Sequence, residues 1–189
     1  MSDYRPRDVL EFWFGAGGDY GKRHKRWFEK DPALDAEVRR RFFDLHGQLA
    51  SGERWLDPAK DCLARVIVLD QFPRHMFRGT ARSFATDPQA LAAARHAVAH
   101  GYDRALLPVE RLFLYLPFEH SEALDDQWRA CELTEPLGAF AETEDAHRYA
   151  LAHRDIIARF GRFPHRNAAL GRQSTPEELE FLKQPGSSF

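Results

Sequence analysis

The 189-residue chain lacks most of the features that mark secreted, membrane-bound or metal-clip proteins. It has two cysteines, Cys62 and Cys131, which are too few for a disulfide framework and form no CxxC motif. Its longest near-apolar run, residues 112–118, is far shorter than the roughly 20 residues that a membrane helix needs. No apolar signal stretch follows Met1. We therefore expect a cytoplasmic protein without a membrane partner.

The chain also lacks an excess of charge and any familiar catalytic motif. Its 27 Lys and Arg nearly balance 29 Asp and Glu, so we expect no nucleic-acid partner. Residues 15–18 are rich in glycine, but no Walker lysine follows them and no strand pattern precedes them. There is no GxSxG elbow and no HExxH motif. We predict neither a metal nor a cofactor, and whether the protein is an enzyme stays open.

Helix signals, by contrast, are abundant. Four sites place an oxygen-bearing residue before a proline, which is typical of a helix N-cap followed by the first helical position: Asp31-Pro32, Asp57-Pro58, Asp87-Pro88 and Thr175-Pro176. Apolar residues recur at helical spacing in segments of about 32–48, 58–71, 88–100 and 140–160, a short helix follows Pro6, and Pro108 opens a helix that Pro117 kinks or breaks. No stretch alternates with the period of a strand.

The chain therefore predicts a single all-α domain, residues 1–189, of about seven or eight helices packed as antiparallel pairs. The predicted core contains Trp13, Phe42, Leu63, Ile67, Leu112, Tyr115, Ile157 and Phe160.

Two segments that contain Phe-Pro concentrate positive charge. Residues 63–82 carry four arginines against one aspartate, and residues 154–172 carry five against one. The two segments also resemble each other weakly, which fits either an internal duplication or chance. The pair Phe72-Pro73 is expected to end its helix, which would place Arg74 and Arg78 on a loop. Alternatively, these two arginines cap the last carbonyls of that helix.

The segment between them, residues 117–145, is acidic, with nine acids against one arginine. Glu119, Glu122 and Asp126 are spaced i, i+3, i+7, so a continuous helix would place them on one face. Three carboxylates on one face suit a divalent cation or a general base. They equally suit ion pairs with the arginines, and such a structural network is the simplest interpretation of all these charges.

The functional hypothesis is a pocket for a small anionic or polar ligand between the acidic helix and the two Phe-Pro segments. Arginine offers a planar fork that fits carboxylate or phosphate, so the expected anion binders are Arg74, Arg78, Arg162 and Arg166. The expected polar partners are Glu119, His120 and His165, one of which is a candidate acid or base. His153 lies on an apolar helix stripe, where a histidine is most often a core residue bonded to backbone. The candidate ligand-binding residues are Arg74, Arg78, Glu119, His120, Glu122, His153, Arg162, His165, Arg166 and Asn167, and no catalytic residue is assigned.

Six motifs, in order, resemble the bacterial domain-of-unknown-function family numbered 924. They are Glu11-Phe-Trp-Phe-Gly, Asp70-Gln-Phe-Pro-Arg74, Phe77-Arg-Gly-Thr80, Phe84-Ala-Thr-Asp87-Pro, Glu110-Arg-Leu-Phe-Leu-Tyr-Leu-Pro-Phe-Glu-His-Ser-Glu122 and Arg159-Phe-Gly-Arg-Phe-Pro-His-Arg-Asn167. The resemblance implies an all-helical fold similar to right-handed tetratricopeptide-like arrays, and it implies no established activity. Because helical arrays hold peptides on concave faces, a non-enzymatic scaffold for a peptide or protein partner is the alternative function.

Overall fold

The computed structural model describes residues 4–27, 29–52 and 54–188, and within these ranges every regular element is helical. The α-helices are α1 (Pro6–Phe14), α2 (Pro32–Ala50), α3 (Ala59–Val66), α4 (Phe72–Met76), α5 (Asp87–Ala99), α6 (Pro108–Glu119), α7 (Leu124–Thr134), α8 (Ala146–Phe160) and α9 (Pro176–Phe181). A π-helical turn, Ile67–Gln71, joins α3 to α4 without a break. The predicted all-α fold is confirmed.

Two of the four predicted helix caps are present. The Asp31 carboxylate accepts a hydrogen bond from the backbone N–H of Ala33 at 2.8 Å, so it caps α2. The Thr175 hydroxyl accepts from the N–H of Glu178 at 3.1 Å, and the Glu178 side chain accepts from the N–H of Thr175 at 2.7 Å. This reciprocal capping box begins α9 where the sequence places it.

The other two predicted caps are wrong, because tertiary contacts take their side chains. Asp57 precedes the start of α3 but binds the hydroxyl of Tyr102 and lies 3.2 Å from His96 Nε2. Asp87 is itself the first residue of α5, and its carboxylate binds the guanidinium of Arg74. An aspartate before proline is therefore not a cap when a cation or hydroxyl from another element competes for it.

The prediction that the first Phe-Pro ends its helix is also wrong. Pro73 has no N–H, and in a regular α-helix its ring would collide with the carbonyl of Leu69. The π-helical turn lies at this point, and the Leu69 carbonyl accepts a hydrogen bond from the Thr86 hydroxyl at 2.6 Å instead. The helix thus continues, so Arg74 lies on α4 and only Arg78 lies in the turn that follows.

The second Phe-Pro segment has a different local structure. Gly161 ends α8 in the left-handed region, with φ of 67°, and a single 3₁₀ turn, Pro164–Arg166, follows. The weak similarity between the two segments therefore does not extend to their backbone conformation.

The acidic residues do not share one helix face. The α6 helix ends at Glu119 despite containing Pro117, and α7 begins only after a short connection that holds Glu122. Asp126 lies on α7, so the i, i+3, i+7 relation expected on one helix is lost. The α8 helix begins later than predicted because residues 141–143 form a separate 3₁₀ turn.

Helices that follow one another in the chain pack together: α5 on α6, α6 on α7, and α7 on α8, while α2 packs on α4 and α1 on α3. Seven predicted core residues are buried, namely Trp13, Phe42, Leu63, Ile67, Leu112, Tyr115 and Ile157. Phe160 is half-buried against Phe181, with ring centroids 5.0 Å apart. No helix in the described ranges is both long and apolar enough to span a membrane.

Candidate functional site

Polar side chains are buried together around the π-helical turn, the end of α6 and the second Phe-Pro segment. Asp70, Glu119 and His153 are at most 5% exposed, and Arg166 is 6% exposed. Charged side chains are rarely this buried unless they are paired. We define the buried polar cluster as Asp70, Arg74, Asp87, Glu119, His120, His153, His165 and Arg166.

Asp70 and His120 form a tight pair in the centre of this cluster. Nδ1 of His120 lies 2.7 Å from a carboxylate oxygen of Asp70, which is fully buried on the π-helical turn. Burial by itself raises the pKa of Asp70. The charge of Arg74 and the contact with His120 lower this pKa by a larger amount, so the carboxyl stays ionised. Burial and the charge of Arg74 lower the pKa of His120, which keeps the imidazole neutral at pH 7.

Arg74 is locked by two aspartates. Its guanidinium makes two parallel hydrogen bonds to Asp87, at 2.9 and 3.1 Å, and a third to the backbone carbonyl of Asp70 at 2.5 Å. This last bond agrees with the alternative in which the arginine satisfies a helix carbonyl. A bidentate pair of this kind fixes both side chains.

Arg166 is held much more loosely. Its contact with a carboxylate of the described chain, to Asp87, is 3.5 Å long, and its Nε is buried without a hydrogen-bond partner among the described residues. The guanidinium contacts two phenyl rings, 4.8 Å from the centroid of Phe84 and 4.5 Å from that of Phe163. Burial and the nearby charge of Arg74 lower the pKa of Arg166 to about 10, so it remains a cation.

Glu119 and His153 contact each other as neutral groups. Burial and the charge of Asp70 raise the pKa of Glu119 to about 8. Burial lowers the pKa of His153 to about 3, and its Nδ1 donates to the carbonyl of Tyr149 at 2.8 Å. The 3.5 Å contact between Glu119 and His153 is therefore not an ion pair at neutral pH. The backbone bond of His153 agrees with its interpretation as a core histidine.

His165 borders the cluster next to Phe163, with ring centroids 5.5 Å apart. Burial and the charge of Arg166 lower its pKa to about 4. Three histidines of the cluster are thus neutral at pH 7, so its formal charges are those of two aspartates and two arginines.

Three other candidate residues hold the C-terminal segment rather than the cluster. Glu122 accepts two hydrogen bonds from Arg172, at 2.7 and 2.9 Å. Arg162 donates to Glu178 at 2.6 and 2.8 Å, and Asn167 donates to the same carboxylate at 3.2 Å. These bonds attach the second Phe-Pro segment to α9 and to the connection after α6.

Arg78 links the turn after α4 to α2. It donates to both carboxylate oxygens of Asp35 on α2, at 2.8 and 2.7 Å. The same carboxylate lies 2.7 Å from Nδ1 of His75. The structure therefore brings together six of the ten candidates, and places Arg78, Glu122, Arg162 and Asn167 in structural pairs.

The sequence alone predicts no site role for Asp70, Asp87 or Phe84. It predicts a helix cap at Asp87, and nothing in the local sequence shows that two arginines approach this carboxylate. Asp70 did carry a signal, because it falls at helical spacing with buried aliphatic residues. Within the described ranges, no group of three or more His, Cys, Asp or Glu is arranged to hold a metal ion.

The fold and the cluster together define the class: an all-α protein with a polar, ion-paired interior between its helices. The chain belongs to the family described as bacterial protein of unknown function (DUF924), whose family model matches residues 9–186. It is similar to the solved structure of a protein of unknown function from Agrobacterium tumefaciens, with 44% sequence identity and a TM-score of 0.81. That similarity covers 94% of this chain and 96% of the other. No curated protein matches the sequence.

Proposed function

We propose that the buried polar cluster is the binding site for a small anionic or polar molecule, with Arg166 as the anchoring cation. The observation that carries the proposal is the buried Nε of Arg166, which has no hydrogen-bond partner in the described chain. A buried donor that is left unpaired costs about 1–3 kcal/mol. An oxygen of a bound ligand would remove that cost, which makes the site selective for molecules that carry one.

The other arginines among the candidates are less suited to this role. Arg74, Arg78 and Arg162 each make two hydrogen bonds of 3.1 Å or less to one carboxylate. A ligand would have to break these charge-assisted bonds before it gained its own. The anion-binding hypothesis therefore narrows from four arginines to Arg166.

Charge balance narrows the ligand. The formal charges of Asp70 and Asp87 balance those of Arg74 and Arg166, which they contact as ion pairs. Neutral His120 and the protonated carboxyl of Glu119 add hydrogen-bonding groups without charge. Because each negative charge on the ligand disturbs this balance, we expect a ligand with at most one negative charge and further uncharged polar groups.

The test is a thermal-shift titration with sulfate, phosphate and small carboxylates. A ligand that binds only the native state stabilises it by about 2.7 kcal/mol at a hundredfold excess over Kd. We expect the rise in Tm to persist in Arg78→Gln, whose arginine pairs with Asp35 outside the cluster, and to vanish in Arg166→Gln. Arg166→Lys keeps the positive charge and serves as the control for folding. If this variant still shows the rise in Tm, the loss in Arg166→Gln reflects the missing cation and not a lost fold. A rise in Tm that is equal in wild type and Arg166→Gln would refute the proposal.

A second candidate function, a scaffold for a protein partner, rests on the exposed face of α7. Leu124 and Trp128 are 42% and 52% exposed at i, i+4 spacing, and the Arg154 guanidinium lies 4.6 Å from the indole centroid. Exposed aromatic and arginine side chains are enriched at interfaces. The scaffold is favoured if no anion raises the Tm of the wild type and if Trp128→Ala abolishes the binding of a protein partner.

A further inference from the structure

The Asp70–His120 pair has the geometry of an oriented base. Asp70 holds Nδ1 of His120 at 2.7 Å, while Nε2 has no hydrogen-bond partner among the described residues. The imidazole is 13% exposed, so it is reachable although its carboxylate partner is fully buried. A carboxylate on Nδ1 fixes the tautomer that leaves the lone pair on Nε2 and stabilises the imidazolium formed when Nε2 takes a proton.

Both members of the pair are held rigidly. The second carboxylate oxygen of Asp70 accepts a hydrogen bond from the Gln71 amide at 2.5 Å. Asp70 and Gln71 both lie on the π-helical turn, a feature often found at functional sites. On the other side, the amide of Gln127 donates to the backbone carbonyls of Glu119 at 2.7 Å and Ser121 at 2.6 Å. These bonds fix the chain on either side of His120.

A second aspartate–histidine pair in the same chain provides a comparison. Asp35 also lies 2.7 Å from Nδ1 of His75, but both of its oxygens bind Arg78 as well. The His75 side chain is only 6% exposed and packs edge-on against Trp13, with centroids 5.7 Å apart. The distance alone therefore does not distinguish the two pairs, whereas access and neighbours do.

We infer that His120 is a general base that removes a proton from a small ligand anchored at Arg166, with Asp70 as its positioning residue. This inference rests on the proposed function. The groups that face His120 are Asp70, Arg74, Asp87, Glu119, His153 and His165. The substrate class is a small anion with an acidic C–H or O–H. The C–H or O–H bond of the ligand breaks as an N–H bond forms at Nε2 of His120, and the electron pair stays on the ligand as its conjugate base. The imidazolium then releases the proton to water.

The base can be tested without the natural substrate by 5-nitrobenzisoxazole. In this reaction Nε2 takes the C–H proton, the N–O bond breaks, a nitrile forms and the electron pair stays on the coloured phenolate. General bases contribute about 10²–10⁴-fold, so we expect His120→Gln to slow the reaction by about 100-fold or more. His75→Gln is the matched control and should leave the rate unchanged. Asp70→Asn should slow the reaction and shift its pH profile to a lower pH, which a structural role alone would not do.

Chemical modification of the wild-type protein tests the same inference without any variant that must fold. Diethyl pyrocarbonate modifies neutral, accessible imidazole nitrogens, so we expect His120 to react before His75 and sulfate to protect it. The assignment of His120 as a base would be refuted if wild type and His120→Gln convert 5-nitrobenzisoxazole at equal rates. It would also be refuted if diethyl pyrocarbonate modifies His75 before His120. If sulfate stabilises the protein while His120→Gln retains the rate, the inference fails and the anion site stands. If the rate depends on His120 but sulfate has no effect, the base stands and Arg166 is not its anchor.

Discussion

Replacement of Glu119 by glutamine should change how the stability of the protein depends on pH. Glu119 is 1% exposed, its Oε1 has no hydrogen-bond partner in the described chain, and the charge of Asp70 acts on its carboxyl. Burial and the charge of Asp70 raise its pKa to about 8 from 4.5. Between these two pH values the native carboxyl keeps its proton while the unfolded one loses it. The wild type therefore loses stability as pH rises through this window.

The size of the effect follows from the difference between the two pKa values. Each pH unit corresponds to about 1.4 kcal/mol of differential interaction, so the loss from pH 4.5 to the folded pKa of about 8 is about 5 kcal/mol. That is a large fraction of the roughly 5–15 kcal/mol that stabilises a typical domain. Glutamine has the shape of the protonated carboxyl and does not titrate, so Glu119→Gln should escape the loss.

The assay is urea unfolding of wild type and Glu119→Gln at pH 5, 6.5 and 8. The difference in unfolding free energy should be small at pH 5 and favour the variant by several kcal/mol at pH 8. Glu178→Gln is a control whose difference from wild type should stay constant over this range, because the bonds from Arg162 lower the pKa of Glu178 to about 2 and its contribution is lost only as pH falls below 4.5. A difference between wild type and Glu119→Gln that is independent of pH would show that Glu119 is ionised in the folded protein.

Three further substitutions test the contacts that frame the site, each by urea unfolding at pH 7. Thr86→Val removes the hydroxyl that satisfies the Leu69 carbonyl and should cost about 1–3 kcal/mol; a neutral effect would mean that this carbonyl has another partner. Gln127→Leu removes the bonds to the end of α6 and should also cost about 1–3 kcal/mol, with a slower 5-nitrobenzisoxazole reaction if it positions His120. Thr175→Ala removes the α9 cap and should cost about 1 kcal/mol, whereas Thr175→Ser should cost less.

The fold was predictable because its signals are local. Apolar spacing and caps such as Asp31 and Thr175 depend on residues within one or two turns of each other. The errors occur where a distant residue decides the outcome. The helix passes Pro73 because the π-helical turn and Thr86, which immediately precedes α5, accommodate the Leu69 carbonyl. The local rules for proline predict the clash with the Leu69 carbonyl, but they do not predict the distant hydroxyl that satisfies this carbonyl. The tetratricopeptide-like arrangement of the helices stays a prediction.

The site was predictable only as a set of residue types. The sequence locates the arginine-rich segments, but the partner of each arginine comes from a distant element. Arg78 pairs with Asp35, Arg74 with Asp87, and Arg162 with a glutamate of α9. One positional signal existed, since Asp70 shares its helix face with buried aliphatic residues. A buried carboxylate requires a partner, so this position predicts a contact without identifying it.

The distinction between a structural network and a binding site depends on which buried atoms remain unpaired. A network that serves only the fold gains most when every donor and acceptor is satisfied, as in the Arg162–Glu178 and Arg172–Glu122 pairs. The buried polar cluster departs from this pattern at Glu119 Oε1 and Arg166 Nε, which lack partners in the described chain. Each such atom costs about 1–3 kcal/mol in the folded state. The charge of Asp70 acts on the pKa of both residues, so we expect a partner from outside the chain to bind close to the oriented base.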